Sequence, residues 1–361
     1  PVENEFTLFA LADPQAHFTT RGHQKRPDTE RFRLETVPAL NSAIGSNPLP
    51  CYGITLGDIV HSVNQRDSSP GMPIMRSLFG YLDMPVFQTM GNHDFTYFNT
   101  TKPLETDERS STLHLKAQRA FEDCFGPVNY SFNRGKAHIV CMRNIIYDSS
   151  TDNMDIHGGF SDEQYQWLKE DLSSVGKDRM VILCVHIPLA SCTNGEHRKD
   201  IVSLISKYTN STIFSGHLHC SRTYTEIQST YMTEHIHQAV CGELWYSCMN
   251  SDGCPNGYTT YHIKGNKIVG SRLRGINGPM SDPDYQMRIY RGNMKTGGPG
   301  GWFQWKQGRN TLMINVFNGS REWKVQVYEN GEYTGDASYM DKETQWFDSI
   351  EAGKTYDVDN S

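Results

Sequence analysis

The chain contains no apolar run longer than a β-strand requires, so no segment predicts a membrane-spanning helix. It also contains no internal repeat and no low-complexity segment. Hydrophobic residues make up 37% of the 361 residues and charged residues 21%, which is typical of a folded soluble protein. Because this length exceeds what one core usually serves, we expect one large domain and one small one.

A block of Lys and Arg residues is also missing, and the formal net charge is −7. Binding of nucleic acid depends on basic side chains that neutralise the phosphate backbone. The sequence therefore does not predict nucleic acid as a dedicated partner. A small phosphorylated substrate is not excluded, because a metal site is locally positive even in an acidic protein.

The nine cysteines include no Cys-x-x-Cys pair. Cys241, Cys248 and Cys254 lie close together in a predicted loop, where they could form one disulfide or remain free thiols, and we favour free thiols. This usage leaves the redox compartment open. The chain begins at Pro1 rather than Met, so we expect that it was processed or trimmed, and a signal segment would then be absent.

Strand-length and helix-period segments alternate over the first 215 residues, and the period then changes to two. This order predicts an α/β fold with a central sheet of two facing layers and helices outside. Residues 276–284 are the best linker, which predicts a large domain over 1–276. Residues 277–361 show only strand patterns and predict a small all-β, sandwich-like domain.

Five apolar strands are each followed directly by side chains that can bind a metal. These segments are, in order, Asp13-Pro14-Gln15, Gly57-Asp58, Gly91-Asn92-His93-Asp94, His186, and Gly216-His217-Leu218-His219. Any one of them alone is typical of a polar turn. Because sites in α/β folds lie beyond the carboxyl ends of the strands, all five together predict one polyvalent site. Two divalent metal ions are the simplest occupant for this many donor side chains, and such a pair implies hydrolysis of a phosphate ester.

The ligand types suggest how two metals would be held. We expect Asp58 to bridge them, with the remaining ligands divided between the two. One metal would take Asp13, Gln15 and His219, and the other Asn92, His186 and His217. Mn, Fe, Zn and Mg all accept such mixed oxygen and imidazole sets. A bridging water would lose a proton at neutral pH, and the resulting hydroxide would attack phosphorus in line.

His93 is the expected general acid, since its ring can reach the leaving-group oxygen and imidazole has a suitable pKa. Asp94 could orient His93 or contact substrate, or it could be only a turn residue. Trp245 could stack on a sugar or a base at the mouth of the site, or it could be packing.

These motifs resemble those of the calcineurin-like metallophosphoesterase superfamily, whose pattern D-x-H, G-D, G-N-H-D/E, H and G-H-x-H is met in order over residues 1–275. The resemblance implies a four-layer α/β/β/α sandwich, two metals and action as a phosphomonoesterase or phosphodiesterase. It supports the ligand roles given above and His93 as the acid. Gln15 stands where most members have His, and its amide oxygen is a weaker ligand.

Residues 160–172, 185–189 and 252–258 further resemble one branch of that superfamily, exported bacterial proteins of the Bacteroides type with a C-terminal β domain. This resemblance implies export to the periplasm or cell surface. It also points to a small phosphorylated metabolite or a glycan phosphate as substrate.

A second function remains open at this point: a weakened or inactive phosphoesterase fold that serves as a carbohydrate-binding or scaffold module. Trp302, Phe303 and Trp305 could form an exposed aromatic row for such binding, although a core explains them equally well. Only Gln15 departs from the family's ligand set. A decayed site would have lost more, which favours the enzyme.

Overall fold

The computed structural model of the chain describes residues 4–20, 24–61, 70–95, 111–148, 155–191, 195–242, 244–250, 252–291, 312–320 and 322–338. In these ranges the chain forms a mixed α/β fold in which two sheets carry helices on their outer faces. A strand-rich region follows. The expected aromatic row Trp302, Phe303 and Trp305 lies outside the described residues.

The strands in chain order are β1 (Glu5–Leu11), β2 (Cys51–Leu56), β3 (Val86–Thr89), β4 (Asn129–Arg134), β5 (Ala137–Met142), β6 (Ile145–Asp148), β7 (Asp155–Gly158), β8 (Met180–Cys184), β9 (Thr212–Ser215), β10 (Arg222–Ile227), β11 (Thr230–Ile236), β12 (Gly257–Lys264), β13 (Lys267–Gly275), β14 (Met287–Arg291), β15 (Leu312–Val316), β16 (Gln326–Glu329) and β17 (Glu332–Asp336). The α-helices are α1 (Asp28–Arg31), α2 (Val37–Gly45), α3 (Gly71–Phe79), α4 (Ser111–Phe125), α5 (Asp162–Ser173) and α6 (Arg198–Ile205).

The first sheet has the order β13-β12-β1-β2-β3, and the second has the order β10-β11-β9-β8-β5-β4. Within the first sheet, β1, β2 and β3 are parallel. Within the second, β11, β9, β8 and β5 are parallel. The remaining pairs of both sheets are antiparallel and lie toward the sheet edges.

Strand β1 shows why the sheets stack as they do. Its side chains point alternately to the two faces, and both faces are buried, so the strand is apolar almost throughout. Phe9 and Leu11 pack in a cluster with the helical residues Leu40 and Met75. Leu8 and Ala10, on the other face, pack between the two sheets.

Three apolar clusters separate four layers. One lies between the first sheet and helices α2, α3 and α4. The second lies between the sheets and joins β1 and β2 to β5 and β8. The third lies between the second sheet and helices α5 and α6. The predicted α/β/β/α sandwich is therefore confirmed.

The spacing of Val37, Leu40 and Ile44 predicts a helix before β2, and the observed helix begins earlier than this pattern. Helix α1 continues through a π-helical stretch, Phe32–Thr36, into α2. Pro38 lies in the first turn of α2 and has no N–H to donate to the preceding turn. A local widening just before proline lets the helix continue without that bond. Helix α5 begins as expected, with the reciprocal capping bonds of Ser161 and Gln164.

Some strand positions differ from the expected ones. The alternating pattern of the sequence predicts a strand over 235–240, whereas β11 begins at Thr230 and ends at Ile236. The hairpin of β6 and β7 was not expected at all. In both segments polar and apolar residues are mixed. The pairing partners, rather than the local pattern, decide where such strands begin.

After residue 284, two short hairpins are formed by β14 with β15 and by β16 with β17. Phe317 packs with Cys254 and Leu273 of the sandwich. The side-chain amide of Asn315 also donates to the backbone oxygen of Asp252 at 2.8 Å. The first hairpin thus lies against the loop 252–256. In the part of the chain described, no helix is both long and apolar enough to cross a membrane.

The buried His237 makes the sandwich sensitive to acid. Its Nδ1 donates to the backbone oxygen of Ser215, and its Nε2 accepts from the hydroxyl of Tyr261, each at 2.9 Å. Burial lowers the pKa of His237 to about 3. As pH falls below about 6.5, this histidine binds a proton in the unfolded chain but stays neutral in the folded chain. The free energy of unfolding therefore decreases between about pH 6.5 and pH 3, by about 1.4 kcal/mol per pH unit.

We expect His237→Gln, which can keep both hydrogen bonds but does not titrate, to lose less stability between pH 7 and 4.5 than the wild type. Urea unfolding at both pH values measures the difference. Equal losses in the two proteins would contradict this account. His262→Gln, at an exposed histidine of β12, is the matched control.

Candidate metal centre

The seven predicted ligands meet at one edge of the sandwich, where the carboxyl ends of the parallel strands of both sheets converge. They form two adjacent groups. Asp58, Asn92, His186 and His217 make up the first, and Asp13, Gln15 and His219 make up the second. Asp13, Asp58 and His186 are at most 1% exposed. Asn92, His93, His217 and His219 are partly exposed and form the open side of the centre.

In the first group, polar atoms crowd around one ring nitrogen of His186. Its Nδ1 donates to the backbone oxygen of Leu56 at 2.7 Å, so in the neutral ring Nε2 carries a lone pair. That Nε2 lies 2.8 Å from Asn92 Oδ1, 3.3 Å from Asp58 Oδ2 and 3.2 Å from His217 Nδ1. Several atoms of the kind that bind divalent metals therefore face one point, and Asp58, His186 and His217 lie close enough together to hold a metal ion.

The electrostatics of this group agree with its geometry. Burial would lower the pKa of His186, but the Asp58 carboxylate raises it to about 9. Burial would raise the pKa of Asp58, but His186, His93 and His217 hold it well below its usual range. Burial and the neighbouring His186 lower the pKa of His217 to about 4. His217 thus offers a lone pair at neutral pH beside a permanent carboxylate, as a metal ligand must.

The second group is built in the same way. His219 Nδ1 donates to the backbone oxygen of Gly242 at 2.9 Å, which turns Nε2 toward Asp13 Oδ1 at 3.5 Å. Asp13 Oδ1 is fully buried and accepts no hydrogen bond from the described residues. A buried carboxylate oxygen without a donor is costly unless a cation lies beside it. The donor set of this group therefore fits a divalent metal.

Gln15 joins the two groups. Its Nε2 donates to Asp58 Oδ2 at 3.0 Å, while its Oε1 faces the sulphur of Cys241 at 3.7 Å. The amide nitrogen, rather than the predicted ligand oxygen, is thus directed at Asp58. Both groups are also linked by the backbone N–H of His217, which donates to Asp13 Oδ2 at 2.9 Å.

The backbone at the ligands is strained. Five of the seven have positive φ: Asp13, Gln15, Asp58, His217 and His219, at 48°, 36°, 52°, 70° and 48°. Residues with a Cβ avoid this region at a cost of about 1–2 kcal/mol each. Such strain persists where surrounding structure holds it, and it is concentrated at functional sites.

Two motif glycines are required by close approach. A Cβ on Gly91 would lie 2.1 Å from the backbone nitrogen of Asp58. A Cβ on Gly57 would lie 2.5 Å from His186 Nδ1, and Gly57 itself has a φ of +90°. The strand-end loops can therefore interlock only because these residues lack side chains.

Asp94 holds two of these loops together. Its Oδ1 accepts from the backbone N–H of Ile59 and Val60, at 2.8 and 3.0 Å, and its Oδ2 from that of Gly91 at 2.8 Å. Burial and the charge of Asp58 raise the pKa of Asp94 to about 7. The residue is 0% exposed, so the expected substrate contact is not supported: Asp94 fixes the loops of Asp58 and Asn92.

His93 lies at the open side, as its predicted role requires. Its backbone N–H donates to Asp58 Oδ1 at 2.7 Å, which attaches it to the first group. Its ring stacks on that of His61, with 4.9 Å between ring centres and 22° between planes. Sequence reasoning did not anticipate this stack.

Trp245 is packed rather than presented to a substrate. It is 3% exposed, and its indole N–H donates to the backbone oxygen of Pro14 at 2.9 Å. The guanidinium of Arg31 lies over its ring, 5.1 Å from the centroid, and donates to its backbone oxygen. These contacts do not support the expected stacking role. They show instead that Trp245 supports the segment carrying Asp13 and Gln15.

Two further buried residues support the ligands and were not predicted to do so. Asn144 Oδ1 accepts from the backbone N–H of His186 and Ile187, at 3.1 and 3.0 Å. Glu234 accepts from the N–H of Leu189 and Ala190 and from the hydroxyl of Ser215. A single Asn or Glu carries no local signal for such a role, since the contacts join distant parts of the chain.

Among the described residues, Cys241, Cys248 and Cys254 are thiols that form no disulfide with one another, as we favoured. The disulfide that their spacing allowed is not formed.

Family models match this chain over two ranges. The one described as calcineurin-like phosphoesterase covers residues 33–221. The chain belongs to the calcineurin-like phosphoesterase family. It is therefore a phosphohydrolase of metallophosphoesterase type. A second model, the C-terminal region of calcineurin-like phosphoesterase, covers residues 234–357 and begins within β11. Asp13 and Gln15 precede the first match, and only the tertiary structure joins them to the other ligands.

The chain is similar to two curated manganese-dependent ADP-ribose/CDP-alcohol diphosphatases. The human protein is 23% identical over 269 residues, covering 60% of this chain and 78% of that protein. The mouse protein is 22% identical over 230 residues, covering 51% and 67%.

Among solved structures, the calcineurin-like phosphoesterase YfkN from Bacillus subtilis is 13% identical with a TM-score of 0.43, covering 77% of this chain and 93% of that one. Phosphopantetheinyl hydrolase from Mycobacterium tuberculosis is also 13% identical, with a TM-score of 0.39, covering 65% and 90%.

Removing the Asp94 carboxylate should loosen the centre. We expect Asp94→Ala to leave three buried N–H groups without their acceptor and to lower the free energy of unfolding by about 3 kcal/mol or more. It should also weaken manganese binding, because the loops of Asp58 and Asn92 are no longer tied together. Denaturant unfolding and manganese titration measure the two effects.

The matched control is Asp171→Ala on α5, which removes bonds from Ser131 and His138 remote from the centre. That variant should lose stability but bind manganese as the wild type does. An Asp94→Ala protein with unchanged manganese affinity would refute the role in holding the loops.

Proposed function

We propose that this chain hydrolyses phosphoester or phosphoanhydride bonds with two divalent cations held at the strand-end centre. The observation that carries the proposal is the convergence of Asn92 Oδ1, Asp58 Oδ2 and His217 Nδ1 on Nε2 of His186, all within 3.3 Å. A divalent cation can bind these atoms together. The buried Asp13 Oδ1 supports a second cation beside the first.

Asp58 is the residue proposed to bridge the two cations. It lies between the groups: one oxygen contacts both Gln15 and His186, and the other accepts from the backbone N–H of His93. Asp13, Gln15 and His219 would hold one cation and Asn92, His186 and His217 the other. When bound, the cations would acidify a water molecule and neutralise the charge of a phosphate.

The other steps belong to the protein's own side chains. The buried Asp13, Asp58 and His186 keep the ligand cage rigid. The partly exposed Asn92, His217 and His219 border the side on which a phosphate can enter. His93, at that same side, is proposed to donate a proton to the oxygen of the leaving group, with its ring held against His61.

The proposed substrate is a small phosphorylated metabolite. Because both curated relatives are named for ADP-ribose and CDP-alcohols, nucleoside diphosphate-linked compounds are the first class to assay, with Mn²⁺ as the first cation. A phosphomonoester and a simple phosphodiester should be compared on the same samples. The comparisons lend no support to a glycan phosphate.

Export, membership of the Bacteroides-type branch and a domain boundary near 276 remain predictions. The C-terminal family match begins at residue 234, which differs from the predicted boundary. Limited proteolysis would locate the boundary, and we expect cleavage near residues 276–284.

Asp58→Ala should bind fewer than two manganese ions per chain and lose hydrolysis, because the proposed bridge and the support of His93 disappear together. Manganese content after gel filtration measures this. Asp178→Ala, at an exposed carboxylate, is the control. Two retained ions in Asp58→Ala would rule out the bridging role.

His93→Ala should lower turnover by about 10²-fold or more for a substrate with a poor leaving group, while both manganese ions stay bound. A substrate with a good leaving group, which needs no proton, should be affected much less. Steady-state kinetics on both substrates give the comparison, with His262→Ala as control. An equal loss on both substrates would contradict the role of acid.

A further inference from the structure

The turn formed by Cys241 and Gly242 touches all three residues of the second ligand group. The backbone N–H of Cys241 donates to the backbone oxygen of Asp13 at 3.3 Å. The Cys241 sulphur lies 3.7 Å from Gln15 Oε1, and Gly242 accepts from His219 Nδ1 at 2.9 Å. This turn, which is distant in sequence from Asp13 and Gln15, therefore contacts every residue of the second group.

This turn is itself rigid. The backbone N–H of Trp245 donates to the oxygen of Cys241 at 2.8 Å, and the indole N–H donates to Pro14. The N–H of Val240 donates to the oxygen of Ala12 at 2.8 Å. Residues 239–242 and 244–245 are thus docked along the segment that carries Asp13 and Gln15. Cys241 is 0% exposed within this docking.

The amide of Gln15 is the part of this arrangement that a metal would change. In the structure, its N–H faces Asp58 and its oxygen faces Cys241. A cation held by Asp58 would repel that N–H and attract the oxygen. Rotation of the amide by half a turn exchanges the two atoms at nearly constant positions. The N–H then points at the Cys241 sulphur, which can accept it.

We infer that Cys241 is a positioning residue of the metal centre, whose sulphur holds the Gln15 amide with its oxygen toward the cation. A neutral amide is a weak ligand and has two similar faces, so it needs such a partner more than an imidazole does. The inference rests on the proposed metal site. The fully buried Asp13 Oδ1, which lies 3.5 Å from His219 Nε2 and accepts no hydrogen bond from the described residues, independently supports a cation there.

The test is a Mn²⁺ titration of the whole chain, with free Mn²⁺ followed by electron paramagnetic resonance. In Cys241→Ala, one of the two ions should bind about 10-fold more weakly or worse, because the amide loses its acceptor. Cys241→Ser, whose hydroxyl oxygen accepts the same N–H, should bind close to wild type. Cys141→Ala, at a buried cysteine between the sheets, should not change binding.

Repeating the Cys241→Ala substitution in a Gln15→Glu variant tests whether its effect acts through the Gln15 amide. In Gln15→Glu the ligand has no N–H to be held, so adding Cys241→Ala should change Mn²⁺ affinity far less than it does in the wild type. Three results would each overturn the inference. The first is unchanged Mn²⁺ binding in Cys241→Ala, and the second is an equal loss of affinity whether residue 15 is Gln or Glu. The third is weaker binding of both ions together with a lowered melting temperature. A wild type that binds two ions but hydrolyses nothing would refute the proposed activity alone, since these arms measure binding.

Discussion

The burial of the Asp58 carboxylate is the constraint on which the centre depends. A carboxylate that is 1% exposed must be paired, and its partners come from three other strand ends: Gln15, the backbone of His93, and the ring of His186. Each partner can reach it only because its strand runs parallel to β2 or faces it from the second sheet. Loops from both sheets therefore contact the Asp58 carboxylate at one edge of the sandwich.

Around this carboxylate the structure arranges two kinds of support. Charged and imidazole groups face the interior of the centre, where their lone pairs converge. Behind them lies a layer of backbone contacts, to which Asp94, Asn144 and Glu234 contribute buried acceptors. Because most of these acceptors' bonds are to backbone N–H groups, they fix the loops that follow Asp58, precede Asn92 and carry His186.

The turn at Cys241 extends this second layer to the side of the centre where the chain departs from the superfamily's usual His. Gln15 is a neutral ligand with two similar faces, and its orientation depends on what lies behind it. Family membership establishes a phosphohydrolase, while the details of ligand geometry in this chain involve residues that lie far apart in sequence. The family motifs thus account for the phosphohydrolase activity, whereas the orientation of Gln15 depends on Cys241, which is distant in sequence.

The alternation of strands and helices in the sequence by itself predicted an α/β fold with facing sheets and helices outside, and the resemblance of its motifs to the calcineurin-like superfamily implied the four-layer arrangement. The sequence also predicted the seven candidate ligands, because each follows closely on the end of an apolar strand, and the structure brings these side chains together. Only the tertiary structure decided the roles of Asp94, Trp245 and Cys241, and the start of β11. Those depend on contacts between segments up to about 230 residues apart, such as Cys241 with Gln15, and no local pattern encodes a partner at that separation.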